Sequence, residues 1–342
     1  MSLSVANLLN NLIHIFVFPG FLFCFLLGMF LAGFNRKLVA KMQKRVGPPV
    51  LQPFYDFFKL CGKETIVPTV ANKTVFLWAP VLGFAALVVI QLFIPIFDFT
   101  AYSGVADVIV VLYLLLIPAV SIIMGGASTG SPYAGVGLSR EMVTIISVEL
   151  PLVLVLLAVG KTVGNAMGTG LCLSFTKIAQ YQLENGSLIL VPSMIPAAIA
   201  MLFVIPGETG SHPFDAAEAE TEICEGLLAE YSGAPLGIFK LTHSVKILTL
   251  TSMFVALFLG GIGAPIAALV ASFGLNAAAG GMLTVFFGAV VMAVLCFIVM
   301  FVTVTIPEAV TARLKIEQIF KFYWTVVSGL ALLSLVLAWY GI

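Results

Sequence analysis

Along this chain, apolar residues come in long unbroken blocks. They show neither the alternation of a strand nor the one-sided stripe of a surface helix. The blocks fall at about 12–34, 76–97, 104–126, 142–160, 188–206, 241–262, 283–305 and 322–341, each close to the roughly 20 residues that cross a bilayer as a helix. Pro192, Pro196 and Pro206 crowd the fifth block, which such a helix tolerates where neighbouring helices or water take up the freed carbonyls. The first block has no basic stretch before it and basic residues after it, so it reads as a span rather than a cleavable leader. Between blocks lie two polar segments on one side, about 35–75 and 207–240, and one on the other, about 161–187. Within the first, Leu51, Phe54, Phe57, Phe58 and Leu60 interleave with Asp56, Lys59 and Lys63. That pattern predicts a short amphipathic helix lying in the membrane interface. No internal repeat of the transporter kind is visible.

Composition excludes the soluble alternatives. The 342 residues include 16 basic and 16 acidic side chains, 9% of the chain, while 61% are hydrophobic; a soluble domain carries roughly a quarter charged residues. The sequence therefore reads as one integral membrane domain over residues 1–342, all-α and polytopic, with about eight transmembrane helices and amphipathic cytoplasmic loop helices. A net charge of zero supplies no bulk attraction to nucleic acid.

The distribution of charge says more than its sum. Arg36, Lys37, Lys41, Lys44, Arg45, Lys59, Lys63, Lys73, Arg140, Lys240, Lys246, Arg313, Lys315 and Lys321 fall on one side of the predicted bundle; Lys161 and Lys177 fall on the other. The positive-inside rule makes the richer side cytoplasmic and puts both termini outside, in a cytoplasmic (inner) membrane.

Cys24, Cys61, Cys172, Cys224 and Cys296 are scattered, and His14, His212 and His243 lie far apart. Iron–sulfur clusters and structural zinc need clustered ligands, so no cofactor is expected on this chain, and the thiols read as inert buried groups.

The acids carry the candidate chemistry. An ionised carboxylate at mid-membrane costs about 3 kcal/mol even on the lenient insertion scale, yet the fourth block holds Glu149 and, at its cytoplasmic end, Glu141 beside Arg140. Eight residues of helix are about 12 Å of rise and about 80° of rotation, so the two share a face at different depths. Glu141 is equally well read as half of an interfacial ion pair; an intramembrane acid such as Glu149 is a functional residue by default. Asp215, Glu218, Glu222 and Glu225 follow 3-4-3 spacing, which on a helix opened by Pro213 gathers them within an arc of about 80°; Glu220 and Glu230 point elsewhere. A charge run is usually a solvated face. Here alanines and leucines cover much of the rest, and no lysine or arginine occurs between 178 and 239. Close carboxylates without counter-ions hold protons at neutral pH, as a proton relay requires. Lys240, His243 and Lys246 open the sixth block. Snorkelling is the natural role for Lys240, while Lys246 lies deep enough to partner the acids. Glu308, beside Pro307, reads as interfacial.

These residues also carry a resemblance. Gln43-Lys-Arg-Val-Gly-Pro-Pro49, running into Leu51-Gln-Pro-Phe-Tyr-Asp-Phe-Phe-Lys-Leu60, resembles the first cytoplasmic loop of the complex I H-subunit family. Pro213-Phe-Asp-Ala-Ala-Glu-Ala-Glu-Thr-Glu222, followed by Glu230-Tyr-Ser-Gly233, resembles its third. Gly130-Ser-Pro-Tyr-Ala134 followed by Gly137-Leu-Ser-Arg-Glu141 is similar to the membrane anchor subunit of energy-converting (Ech-like and membrane-bound) [NiFe] hydrogenases in that superfamily. The quinone-reducing branch carries an arginine just before Pro-Phe-Asp, where this chain has Ser211-His212, and a longer Gly-Pro-Asn-Arg stretch in the first loop.

The resemblance implies a coupling subunit, itself non-catalytic. Nickel–iron and iron–sulfur centres would reside in partners: hydrogenase large and small subunits and an iron–sulfur subunit docked on the cytoplasmic face, with antiporter-like subunits in the membrane. Ferredoxin-dependent hydrogen evolution would drive protons or sodium through Glu141, Glu149, Asp215, Glu218, Glu220, Glu222, Glu230 and Lys246, with Glu225 an addition to the family pattern. Arg45, Gly47, Pro48, Gln52, Pro53, Asp56 and Lys59 would build the docking surface. The competing readings are the quinone-site H-type subunit of a complex I-type NADH-quinone oxidoreductase, a stand-alone secondary transporter, and a structural anchor that leaves the acidic strip unexplained.

Overall fold

The computed structural model describes residues 5–102, 107–272 and 277–341, with side chains described except at 5–10, 220, 221 and 277–279. Among the described residues, eight helices are long and apolar enough to cross a membrane. Among the described residues the only β-type pairings are isolated bridges, because backbone polar groups inside hydrocarbon must be satisfied within the segment itself.

The first span is broken: α1 (Val5–Phe16) and α2 (Phe21–Met42) flank a turn at 17–20. A short helix, α3 (Gln52–Cys61), follows. Phe54, Phe57 and Phe58 lay their rings against Phe25 of α2, while Tyr55 and much of Phe58 remain exposed. This is the amphipathic helix that the alternation of apolar and charged residues predicts.

The next spans are α4 (Lys73–Phe93), α5 (Val108–Thr129) and α6 (Pro132–Ala166). α6 extends well beyond the apolar block at both ends and contains Arg140, Glu141 and Glu149. After α7 (Phe175–Asn185), α8 (Ile195–Thr209) forms the fifth span. It does not stop at Pro206: that ring lies inside the helix. The helix ends three residues later, where Gly210 takes the left-handed conformation (φ +66°) that glycine adopts without steric cost. The extension draws Glu208 into the membrane bundle.

Residues 213–231 do not form the single helix that the 3-4-3 acid spacing predicts. They fold as a chain of short turns around α9 (Glu220–Ile223). Cys224 and Glu225 both have positive φ, which no helix can continue through. The segment is pinned by glycines on the helices beneath it. A Cβ on Gly125 would sit 2.7 Å from the Tyr231 hydroxyl, and one on Gly137 would sit 3.1 Å from the Leu227 nitrogen and 3.2 Å from the Ala217 oxygen.

α10 (Gly233–Phe258) runs through the centre, with 94% of its apolar window buried, packed against α2, α3, α4 and α8. Its hydroxyls bond back to its own carbonyls: Thr242 to Ile238, Ser244 to Lys240, Thr249 to Val245, Thr251 to Ile247 and Ser252 to Thr249. α11 (Gly263–Ala271) and α12 (Ala277–Met300) follow. α12 then passes through a π-helical turn, Phe301–Thr305, into α13 (Ile306–Val310). The last span is α14 (Ile316–Phe322), a second π-helical turn (Tyr323–Val327) and α15 (Ser328–Tyr340). Alternating eight spans puts the fourteen basic residues on the larger side at one end of the bundle, the basic end, with Lys161 and Lys177 at the other.

Candidate functional site

The most buried ion pair joins a lysine and a glutamate. Lys246, almost four turns into α10, places Nζ 3.0 Å from Oε1 of Glu208 near the end of α8; the side chains are 9% and 4% exposed. Neither charge is tolerable alone at that depth, and each is the other's counter-ion. A small cavity of about 40 Å³, with room for a few water molecules, touches this pair together with Glu141, His243, Asp215 and Glu218.

A larger cavity of about 400 Å³ lies at the basic end. Its wall includes Asn35 and Arg36 of α2, His212, Asp215, Glu218 and Glu225 of the 210–232 segment, Lys240, His243 and Ser244 of α10, Glu308 of α13, and Arg313. Ile122, Gly210, Asp215, Glu218 and His243 line both cavities, so the two adjoin and ionisable groups line them from the basic end to the buried pair.

Two wall carboxylates, Asp215 and Glu308, are held by named partners. Arg313 donates from Nε to Oδ2 of Asp215 at 2.8 Å, and His212 Nδ1 lies 3.2 Å from the same oxygen; Oδ1 is buried with no partner. Asn35 donates to Oε2 of Glu308 at 2.7 Å and accepts from the Thr305 hydroxyl at 2.6 Å. Burial pushes the Glu218 carboxyl up to about 7, and the neighbouring Glu141, Glu225 and Asp215 carboxylates add to the shift against the pull of Lys240. A carboxyl that titrates there exchanges its proton at neutral pH.

The comparisons with known proteins bear on this arrangement. The family model for NADH dehydrogenase matches residues 14–339. The chain belongs to this family. The NADH-quinone oxidoreductase H subunit of Thermomicrobium roseum is 33% identical over 337 residues, covering 91% of this chain and 90% of that one. Hydrogenase-4 component C of Escherichia coli is 34% identical over 228 residues, covering 66% of this chain and 69% of that one. In three dimensions the chain is similar to one in the membrane-bound sulfane sulfur reductase, an archaeal respiratory membrane complex. The TM-score is 0.82 at 27% identity, over 98% of this chain and 100% of that one. The resemblance drawn from the loop motifs is therefore correct at the level of the superfamily. The protein is a membrane subunit of the kind found in complex I-like and hydrogenase complexes.

Within this family member the predicted site residues divide. Glu141, Asp215, Glu218, Glu225 and Lys246 line the cavities. Lys246 does partner an acid, but the acid is Glu208 rather than a member of the 215–225 strip. Glu149 is half-buried near the middle of α6 and lines neither cavity. Glu222 is 60% exposed and pairs with Arg140 at 2.6 Å; Glu230 is exposed. The side chain of Glu220 lies outside the described residues. The strip is thus neither one helical face nor free of counter-ions. Arg140 and Arg313, distant in sequence, supply them.

The first-loop residues form a separate surface. Arg45 and Lys59 are exposed, Gly47, Pro48 and Gln52 partly covered, and Pro53 buried. Asp56 accepts from Gln52 at 2.9 Å and from Arg36 at 2.8 Å. Partial burial pushes its carboxyl up, but these bonds and the Arg36 charge outweigh it and hold it below the usual range.

Sequence reasoning missed Glu208, the cavity roles of His243 and Glu308, and the part played by Asn35. For Glu208 a signal existed: it is an acid within one turn of the span end placed at residue 206. Among the described residues, no group of three or more histidine, cysteine or carboxylate side chains is placed to hold a metal ion.

Proposed function

We propose that this subunit couples electron transfer in docked redox partners to ion movement across a cytoplasmic membrane, as the anchor of an energy-converting [NiFe] hydrogenase. The observation that carries the reading is the set of ionisable groups lining the two adjoining cavities from the basic end to the buried Glu208–Lys246 pair. Hydrogenase large and small subunits and an iron–sulfur subunit would sit on the face formed by Arg45, Gly47, Pro48, Gln52, Asp56 and Lys59. They would hold the nickel–iron and iron–sulfur centres. Antiporter-like subunits would lie beside the membrane bundle. A charge change in the docked arm shifts the proton on Glu218 and its neighbours. The Glu208–Lys246 pair responds, and Glu149 passes the change sideways to the next membrane subunit. Moving one charge against 100 mV requires about 2.3 kcal/mol, so the relay must switch between at least two protonation or pairing states.

Two observations favour the hydrogenase branch: the Gly130–Glu141 motif and the similarity to a hydrogenase-4 component. The NADH-quinone oxidoreductase relatives favour a quinone-reducing complex instead. That reading asks for a cavity that accepts an isoprenoid tail, whereas more than half of the side chains around the larger cavity are charged, imidazole or amide.

The deciding experiment purifies the native complex, identifies its subunits by mass and measures nickel. A nickel-bearing large subunit supports the proposal; a nickel-free, quinone-reactive complex overturns it. In the nickel-bearing case, Glu149→Gln should leave hydrogen evolution running while ion uptake into vesicles per hydrogen falls. Unchanged uptake per hydrogen removes Glu149 from the path.

A further inference from the structure

Two π-helical turns bracket a single segment. Phe301–Thr305 and Tyr323–Val327 are the π-helical turns among the described residues, and residues 306–322 lie between them. A π-turn is a wide turn inserted into an otherwise regular helix, and such turns concentrate at functional sites and kinks. The bracketed segment is α13, five residues without helix at 311–315, and α14. It is mostly exposed, and Ile319 is its one buried residue.

Few polar bonds hold this segment to the rest of the molecule. Arg313 reaches Asp215, the Leu314 amide donates to the Pro213 carbonyl at 3.1 Å, and Glu308 accepts from Asn35. Apolar contact adds Phe322 against Phe203 and Phe214. Val304, Glu308 and Arg313 also form part of the wall of the larger cavity, so the segment cannot move without changing access to that cavity.

We propose that residues 306–322 act as a strap that opens and closes the larger cavity. It is hinged at the two π-turns and latched by Arg313 on Asp215 and by Asn35 on Glu308. The Arg313 latch is a single bond through Nε onto an oxygen shared with His212, while the second Asp215 oxygen stays empty. A fork-on-fork pair, with two parallel bonds, would hold harder. The Asn35 latch is oriented by its third member. The Thr305 hydroxyl donates to the amide oxygen, which leaves the amide N–H to face the Glu308 carboxylate. Both latches lie on the cavity side, and the exposed side chains of Glu317, Gln318 and Lys321 lie on the strap's free surface. A subunit docked on the basic end meets that surface. The strap is a property of this fold whichever reaction the complex performs.

The test uses the full-length chain purified with its accompanying subunits. Arg313→Gln and Asn35→Leu each remove one latch. Hydrogen–deuterium exchange of the amides at 311–322 should quicken about tenfold in each single variant, and more than either in the double variant if the latches act independently. Amides of 195–209 and 241–258 stay unchanged and serve as the control for folding. Access is read separately, with Cys61→Ser and Cys224→Ser as background and a thiol placed in the cavity wall by Ser244→Cys. A membrane-impermeant maleimide should label it about tenfold faster once Arg313→Gln is added. Exchange unchanged in both single variants, a double variant no faster than the singles, or faster exchange without faster labelling each overturns the proposal. Should Arg313→Gln fail to assemble, Thr305→Val leaves every charge in place and must still quicken exchange at 306–310.

Discussion

α10 and α12 are both long enough to cross the membrane, yet they solve opposite problems. α12 is the most apolar of the eight spans and has 28% of its window buried; α10 is among the least apolar and has 94% buried. In water a helix hides its apolar side. In lipid the apolar helix can face outward at no cost, and the helix with lysine, histidine and hydroxyls has to be surrounded by protein. α8, the other weakly apolar span, is the second most buried. The two helices that a hydropathy profile rates weakest form the centre, and they carry the Glu208–Lys246 pair between them.

The sharpest way to break that comparison is to strand a charge in the centre. Glu208→Ala should cost about 3–5 kcal/mol, because Lys246 is left buried without a counter-ion. Glu208→Leu combined with Lys246→Met should recover most of the loss, as apolar replacement of a whole buried pair usually does. Thermal midpoints of the purified complex measure both. If the single variant is as stable as the wild type, the centre is wetter than its burial implies.

The converse experiment puts a charge on the rim. Val294 on α12 is 53% exposed, and Val294→Asp should cost about 3 kcal/mol through exposure to hydrocarbon, read as a loss of membrane-inserted protein. Next in size is Ser252→Val on α10. The hydroxyl shares its one proton between Gln91 Oε1 at 3.1 Å and the Thr249 carbonyl at 2.8 Å. Removing it leaves a buried amide oxygen bare, at a cost of about 1–3 kcal/mol.

The smallest effect is a change of slope. The Glu218 carboxyl titrates at about 7 in the fold against an ordinary 4.5. Its contribution is therefore fully present below about 4.5 and is lost as pH rises through 7, since the folded state binds the extra proton across that window. Glu218→Gln should flatten the dependence of thermal midpoint on pH between 5 and 8. An unaltered slope would place Glu218 in bulk water.

What the sequence reveals follows the same division. The eight spans and the α3 interfacial helix are legible because each depends on the chain near it: hydropathy over about twenty residues, or a pattern over ten. The 215–225 acids show where such reasoning stops. Their spacing suggests a helix, but left-handed backbone at Cys224 and Glu225 ends any helix there. Their lack of neighbouring bases suggests unpaired charge, but Arg140 and Arg313 arrive from other elements. Counter-ions are a property of packing, and no local window reports them. Glu208 is hidden because hydropathy fades after residue 206, while the helix runs on through Pro206 to a glycine cap at Gly210.

The hydroxyls of α10 have a consequence for how the buried ammonium can behave. Thr242 and Ser244 lie on the basic-end side of Lys246, and Thr249, Thr251 and Ser252 lie beyond it, each bonded to a carbonyl of the same helix. Such a hydroxyl turns about one torsion and keeps its oxygen in place. Beyond Lys246, α10 therefore brings orientable dipoles into a region that bulk water does not reach. The response to a charge that moves, which a solvent would otherwise supply, is written into the helix itself.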